Sequence, residues 1–256
     1  MGDLRWRWLE SGNDAGALQM AVDAGLMARA RDTGEATFRV FGWRRPTLSF
    51  GRHETVRARF SPETLERHGV DAVRRPTGGR VLLHEGEVTY SVTAPASDGE
   101  TTRDGFVRIN RLLMAALERL GVRVGEAPGG RPLMPGHDAC FAEPSAGELM
   151  LEGRKLVASA QRREAGALLQ HGSILLTDCQ RRIPELASAP MRAPAPASTL
   201  ERALGRAVGR GEVHDALRAA LESEVGLIHA LDPDEASGYA GPFLSRFGSP
   251  EWTWRR

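Results

Sequence analysis

Lysine is almost absent from this sequence, and the single lysine is the exception to a strong preference for arginine. The chain has 34 lysine and arginine residues, and all of them except Lys155 are arginine. Arginine cannot replace lysine where the chemistry needs a compact ammonium that approaches another group and releases a proton. Compositional bias with one surviving lysine is the alternative, and the sequence alone leaves both explanations open.

The chain also lacks a charge excess, a set of cysteines and any long hydrophobic run. Its formal net charge of +1 argues against nucleic-acid binding through bulk electrostatics, because proteins of that class carry a clear basic excess. Its two cysteines do not make a disulfide framework in a chain of this length, so we predict a reducing, cytoplasmic compartment. No signal peptide and no run of ~18 apolar residues occurs, so we expect no membrane partner.

The patterns that are present indicate an α/β fold with a mixed sheet. Hydrophobic residues make up 41% of the 256 residues, which suffices for a core, and we predict a single domain over residues 1–256. Strand and helix patterns interleave without strict β-α-β-α alternation, which favours a mixed β-sheet with packed helices. The predicted helices cover 13–31, 62–68, 105–120 and one or two segments after 198, and the predicted strands cover 36–43, 47–51, 71–74, 87–94 and a meander within 147–176.

Local signals set several of these boundaries. Asn13 or Asp14 is the expected N-cap of the first helix, and Ser61 is the expected N-cap of the second. The proline-rich residues 184–199 predict an irregular surface connector. The stretch Ser198 to Glu201 that follows matches a capping box.

Cys140 lies fifteen residues before Lys155, in "GHDACFAEPS". A thiolate is a nucleophile, but a free thiol with a pKa of about 8.5 is mostly protonated at neutral pH, and a neighbouring ammonium favours the charged form. A turn at Glu152-Gly153 would fold Lys155 back toward the loop that carries this cysteine. The spacing leaves the alternative of a buried, inert thiol open, and we interpret Cys179 as structural.

Histidines and paired glycines form the remaining candidate site. His84, His137 and His171 show no tight ligand spacing, so we interpret them as hydrogen-bonding residues in loops or at strand ends. Gly78-Gly79 is not a P-loop, because no Gly-Lys-Ser/Thr follows. These glycines, flanked by Arg75 and Arg80, instead allow the backbone to approach a ligand closely.

Three stretches together, "RRPTGGRVLLHEGEVTYSV", "GRKLVASAQRREAGALLQHGSILL" and the preceding "ACF", resemble the biotin/lipoate A/B protein ligase family. Within it, they are most similar to the Cys/Lys-type octanoyl-[acyl carrier protein]:protein N-octanoyltransferases of lipoate biosynthesis. The opening helix around Asp23, "WRRPTLSFGR" and "FGSPEWTWRR" fit the same family, so the resemblance covers nearly the whole chain. It implies a biotin/lipoate protein ligase-like domain.

The resemblance also implies a ping-pong acyl transfer. Cys140 would take octanoyl from octanoyl-acyl carrier protein, and the acceptor lysine of a lipoyl domain, such as the glycine cleavage H protein, would attack the resulting thioester. Lys155 would favour the thiolate. A monomer without cofactor or metal is expected. The implied substrate-binding residues are Arg75, Gly78, Gly79, His84, Ser159, Ala160, Gln161, His171 and Gly172.

One position departs from the family's Gly-x-Lys-x-x-Gly-Ser-Ala-Gln pattern, because Ala158 replaces the second glycine. The added methyl either narrows the acyl tunnel or is tolerated. Two other functions stay open on this fold: an ATP-dependent lipoate ligase or lipoyl amidotransferase, and an acyl-binding or carrier-docking protein without turnover. Arg80 follows Gly78-Gly79 where ATP-using ligases have a third glycine, which favours the transferase.

Overall fold

The computed structural model describes residues 4–96, 99–127 and 147–255. The strands of this part are β1 (Trp6–Asp14), β2 (Ala36–Trp43), β3 (Thr47–Phe50), β4 (Asp71–Arg74), β5 (Leu82–His84), β6 (Glu87–Pro95), β7 (Gly125–Glu126), β8 (Leu149–Leu151), β9 (Arg154–Glu164), β10 (Ala167–Leu175) and β11 (Ile228–Ala230). The α-helices are α1 (Gly16–Thr33), α2 (Pro62–Arg67), α3 (Thr102–Arg119), α4 (Leu200–Leu204), α5 (Arg210–Val225), α6 (Pro233–Phe247) and α7 (Pro250–Thr253), and residues Gln180–Leu186 form a 3₁₀-helix.

The strands form one large mixed sheet and one small sheet. The large sheet has the order β11-β1-β2-β6-β10-β9-β8-β7, in which β1 pairs in parallel with β11 and β2. The other pairs of this sheet are antiparallel. The small sheet has the order β4-β3-β5, with β3 parallel to β4 and antiparallel to β5. The prediction of a mixed sheet with packed helices is therefore confirmed.

Helices cover both faces of the large sheet. Helices α3 and α5 bury their apolar sides against one face, which includes the stacked rings of Trp8, Phe38 and Tyr90. Helix α1 packs on the opposite face and is itself covered by α6. No helix of the described residues is long and apolar enough to cross a membrane.

The C-terminal residues tie down the small sheet. Arg74, at the end of β4, donates from Nε to the carbonyl oxygens of Trp252 (3.1 Å) and Thr253 (3.0 Å). The indole of Trp252 donates back to the Arg74 carbonyl oxygen at 3.0 Å. Trp254 packs edge-on against Phe50 of β3. We call residues 250–255 the C-terminal strap, because it holds the end of the strand from which the glycine loop begins.

Several predicted boundaries are wrong. Helix α1 has Ala15 as its N-cap residue, because β1 continues through Asn13 and Asp14 and pairs there with β2. Strand β1 itself was not predicted. Helix α4 is capped by Thr199, whose hydroxyl accepts from the Arg202 backbone, whereas Ser198 donates to the Leu151 carbonyl oxygen.

The predicted connector 184–199 is also only partly a surface segment. It begins within the 3₁₀-helix that contains Pro184, and Ala197 and Ser198 at its end are buried. The prolines do exclude α-helix and strand from the residues between the 3₁₀-helix and α4. The predicted helices α2 and α3 are confirmed, and Ser61 is the N-cap of α2 as predicted. Helix α3 begins three residues earlier than predicted, after a cap at Thr101 that the sequence analysis did not include.

Candidate functional site

An extra residue in β9 determines where the single lysine points. Leu149 of β8 pairs with Val157, but the next residue, Met150, pairs with Lys155. Leu156 is therefore the additional residue of a β-bulge, a feature that redirects side chains in a strand. The two-residue turn before it places Glu152 (φ 50°) and Gly153 (φ 74°) in the left-handed region, which suits a tight hairpin.

The bulge turns Lys155 away from the α3 side of the sheet. Leu156 and Val157 both pack in the core beneath α3, so alternation resumes with Lys155 and Ala158 on the other face. Ala160 lies on this second face too, directly opposite His171 of β10. We call it the glycine-loop face, because His171 bonds to the loop of residues 75–80 there.

Lys155 forms an ion pair on that face. Its Nζ lies 2.7 Å from Glu148 Oε2, and the two side chains are 3% and 4% exposed. Glu148 precedes β8, and Leu149 beside it packs in the core under α3, which leaves Glu148 on the glycine-loop face. Glu148 was not predictable from the sequence, because an acidic residue before a strand carries no distinguishing spacing.

The two cysteines differ in what the structure describes. Cys140, like His137, lies outside the described residues. Cys179 is buried beside β5, within 3.6 Å of the Leu83 carbonyl oxygen. Burial raises the pKa of the Cys179 thiol to about 12, so it stays protonated and unreactive at neutral pH. This agrees with a structural role.

The glycine loop (residues 75–80) is held from inside by an arginine. Arg75 is buried and donates to the Ser49 carbonyl oxygen at 2.6 Å, to that of Gly78 at 3.2 Å and to that of Arg80 at 2.8 Å. These hydrogen bonds fix the backbone of the glycine loop against β3. A Cβ added to Gly78 would meet no atom of the described residues within 4 Å, whereas Gly79 has φ +93° and would be strained by any side chain. Within the described part of the chain, open space therefore lies beside Gly78.

His171 connects the loop to the large sheet. Its Nε2 lies 2.6 Å from Thr77 Oγ1, and its Nδ1 lies 2.9 Å from Asp23 Oδ2 of α1. Burial opposes ionisation of Asp23, but bonds from His171, Arg39 and Ser91 outweigh it and hold the pKa of Asp23 below its ordinary value. The prediction that His171 is in a loop or at a strand end is wrong, because it occupies the middle of β10.

His84 occupies the strand end that was predicted for it. At the end of β5, its Nε2 lies 2.7 Å from Ser49 Oγ and its Nδ1 lies 3.1 Å from Glu87 Oε1. Trp43 stacks on the ring at 3.9 Å. Burial lowers the pKa of His84, against the opposing effect of Glu87, so the ring is neutral at pH 7. Within the described ranges, no three His, Cys, Asp or Glu residues converge as metal ligands.

The remaining candidates lie on the opposite, α3 face. Ser159 Oγ lies 2.7 Å from the Tyr90 hydroxyl, and the Tyr90 ring passes over Gly172, which pairs with both residues. Gln161 donates to the Gln170 side chain at 3.1 Å. The structure thus brings Lys155, Ala160 and His171 to the face of the glycine loop and separates Ser159 and Gln161 from them. Gly172 has no side chain, which leaves room for Ser159 of β9 and Tyr90 of β6 to approach each other across β10.

The chain is similar to lipoyl protein ligases and octanoyltransferases. Residues 15–222 match the lipoyl protein ligase A/B catalytic domain. The sequence is 35% identical to octanoyltransferase LipM of Kyrpidia tusciae, over 98% of this chain and 99% of that one. It is 37% identical to octanoyltransferase LipM of Symbiobacterium thermophilum, over 88% of each chain.

A solved structure shares the fold. The bipartite lipoate protein ligase of Thermoplasma acidophilum, described with its E2 lipoyl domain, superimposes with a TM-score of 0.77 at 16% identity. The match covers 98% of this chain and 96% of that one. The predicted lipoate ligase-like fold is therefore confirmed.

Proposed function

Because this chain belongs to the lipoyl protein ligase A/B catalytic domain family, we propose that it is an octanoyltransferase of lipoate biosynthesis. The donor is octanoyl-acyl carrier protein, and the acceptor is the lysine of an apo lipoyl domain such as the glycine cleavage H protein. The observation that carries the proposal is the position of Lys155, the only lysine, buried on the same sheet face as the glycine loop.

The transfer proceeds in two steps through Cys140. Cys140 first loses its proton, and its thiolate attacks the donor carbonyl carbon. A new C–S bond forms, the carrier's C–S bond breaks, and the carrier leaves as a thiolate that takes up the proton Cys140 released. The neutral amine of the acceptor lysine then attacks the enzyme thioester, and a C–N bond replaces the Cys140 C–S bond. The amine proton passes to the released thiolate. Splitting one acyl transfer into two easier steps is the usual logic of covalent catalysis.

Three features of the site support these steps in the proposal. The Lys155 ammonium favours the thiolate of Cys140 and places positive charge near the reacting carbonyl. The space beside Gly78 admits the acyl chain. His171, held by Asp23, keeps Thr77 and therefore the glycine loop in place. No ATP is needed, because thioester exchange is near neutral and conversion of a thioester to an amide is favourable.

Intact-protein mass spectrometry after mixing with octanoyl-acyl carrier protein tests the assignment. The parent and Cys179→Ala should gain one octanoyl group that hydroxylamine removes, and Cys140→Ala should gain none. An adduct that persists in Cys140→Ala contradicts the nucleophile. Acceptor modification from free octanoate that depends on ATP would instead identify a ligase.

A further inference from the structure

Two opposite charges are buried together in the β8–β9 hairpin. Glu148 Oε2 and Lys155 Nζ are 2.7 Å apart, and neither side chain is more than 4% exposed. Burial of an isolated charge is costly, so each of these groups strongly favours the charged state of the other. If one of the two residues is replaced by a neutral residue, the charged form of the other is therefore less favoured.

The backbone around this pair is fixed from two sides. The left-handed turn at Glu152 and Gly153 sets the hairpin, and the bulge at Leu156 sets the direction of Lys155. On the other side, the Ser198 backbone amide donates to the Lys155 carbonyl oxygen at 3.0 Å. The Lys155 side chain retains rotatable bonds along its four-carbon stem, so its ammonium needs a side-chain partner to hold it in one place.

Two other charged residues belong to the described segments beside Lys155. The segment that covers Lys155 is anchored by Asp178, whose Oδ2 accepts from the Ala197 amide at 3.1 Å. Arg154, the neighbour of Lys155 in β9, is partly exposed. Glu148 is the carboxylate that the structure places in direct contact with the lysine.

We propose that Glu148 is a positioning residue for Lys155, which keeps the amino group charged and directed along the glycine-loop face of the sheet. Burial alone favours the neutral amine of a lysine, and a carboxylate in contact with it favours the ammonium. The role of Glu148 in transfer rests on the proposed function, whereas its control of the Lys155 charge does not.

Because Lys155 is the only lysine, the effect of Glu148 on its amino group can be measured directly. Growth with lysine labelled with ¹³C at Cε gives one side-chain resonance, whose chemical shift reports protonation against pH. We expect Glu148→Gln to change this resonance, because the ammonium loses the carboxylate that lies 2.7 Å from it. Glu148→Asp, which keeps the charge, should recover most of that change. Glu152→Gln, which removes an equal charge from the exposed turn of the same hairpin, should have no effect.

Single-turnover transfer from the acyl-enzyme to the apo lipoyl domain is measured on the same proteins. Glu148→Gln should slow transfer about ten-fold or more at an unchanged KM for the acceptor, with partial recovery in Glu148→Asp. A Lys155 resonance that titrates identically in Glu148→Gln and the parent overturns the proposal. If the parent transfers no octanoyl group, the proposed function fails, and the resonance still decides whether Glu148 controls Lys155.

Discussion

At the scale of single residues, the question is how strongly the Lys155 ammonium stabilises the thiolate form of the proposed nucleophile, Cys140. An ammonium within about 4–6 Å of an acidic group shifts its ionisation by one to three pH units. Glu148 at 2.7 Å partly neutralises the field of Lys155. We therefore expect Lys155 to favour the proposed thiolate less strongly than an ammonium without a neighbouring carboxylate would.

Replacement of Lys155 separates charge from chemistry. Lys155→Ala removes the ammonium, so alkylation of Cys140 by iodoacetamide at pH 7 should slow about ten-fold. Lys155→Arg keeps a positive charge and should alkylate at a rate nearer the parent. It should still transfer octanoyl poorly, because a guanidinium is larger than an ammonium and does not fit the same buried position beside Glu148. Alkylation rate against pH, alongside single-turnover transfer, measures both effects.

Two controls accompany this measurement. Cys179→Ala in every variant removes the second thiol, and urea unfolding shows whether Glu148, left without the lysine, destabilises the fold. An alanine variant with the parent's alkylation rate and transfer would mean that the lone lysine is a compositional accident.

The sequence allowed prediction of part of the site. Residue type pointed to Lys155 and to Gly78-Gly79 as candidates, because few residue types can supply their chemistry or backbone freedom. His171 entered the predicted site only through the family resemblance. The sheet faces on which Ser159 and Gln161 lie were not predictable from the sequence. The β-bulge at Leu156 shifts the alternation of side chains along β9, and no sequence pattern indicates this bulge.

At the scale of elements, the contact between β9, β10 and β6 depends on a missing side chain. A Cβ on Gly172 would lie 2.8 Å from both Ser159 Oγ and Tyr90 Cε1 and would also overlap the Ala158 carbonyl oxygen. Strand pairing leaves little room for adjustment here, since both neighbours belong to long, fully paired strands. Gly172 therefore matters for packing in the middle of the large sheet.

Gly172→Ala should lower the free energy of unfolding by about 1–3 kcal/mol through overpacking. Urea unfolding followed by tryptophan fluorescence measures it. Gly238→Ala in α6 is the matched control, because an added Cβ there meets nothing within 4 Å. The control should leave stability unchanged or raise it by about 0.5–1 kcal/mol. Equal urea midpoints for the parent and Gly172→Ala would contradict the close strand approach.

Elements with strong local signals were predictable, and those stabilised by tertiary contact were not. Helix α3 has a capping box and a regular apolar face, so its sequence sufficed. Strand β1 has an irregular register between Glu10 and Asn13, which breaks its alternation. Helix α6 contains Pro242 and two glycines but is held by extensive contact with α1.

At the scale of the whole molecule, one carboxylate joins the first two strands to α1. Glu35 accepts hydrogen bonds from Arg7 of β1 at 3.1 Å and from Arg29 of α1 at 2.5 Å, and Arg29 also lies 3.7 Å from Glu235 of α6. Bonds from Arg7, against the opposing effect of burial and with further help from Arg29, lower the pKa of Glu35 to about 2.

This shift predicts a loss of stability in acid. Because the folded-state pKa is below the ordinary value of 4.5, the stabilisation is complete above about pH 4.5 and disappears as the pH falls toward 2. Glu35→Gln should cost of the order of 2–3 kcal/mol at pH 7 and much less near pH 2. Urea unfolding at several pH values measures the difference.

The exposed pair of Arg31 and Asp32 provides the comparison, since the two side chains are 49% and 60% exposed. Asp32→Asn should leave the free energy of unfolding nearly unchanged at each of these pH values, because water screens an exposed ion pair. A cost for Glu35→Gln that is the same at pH 7 and pH 2.5 would rule out the proposed ionic linkage.

The C-terminal strap has a consequence for the order in which the protein is made. Trp252 and Arg74 contact each other across 178 positions of sequence. At 5–20 residues per second, the ribosome needs roughly 10–40 s to pass from one to the other. During that interval the glycine loop has already emerged while its support has not been translated. We therefore expect the glycine loop, which belongs to the proposed substrate-binding surface, to become fixed only after the strap has been translated.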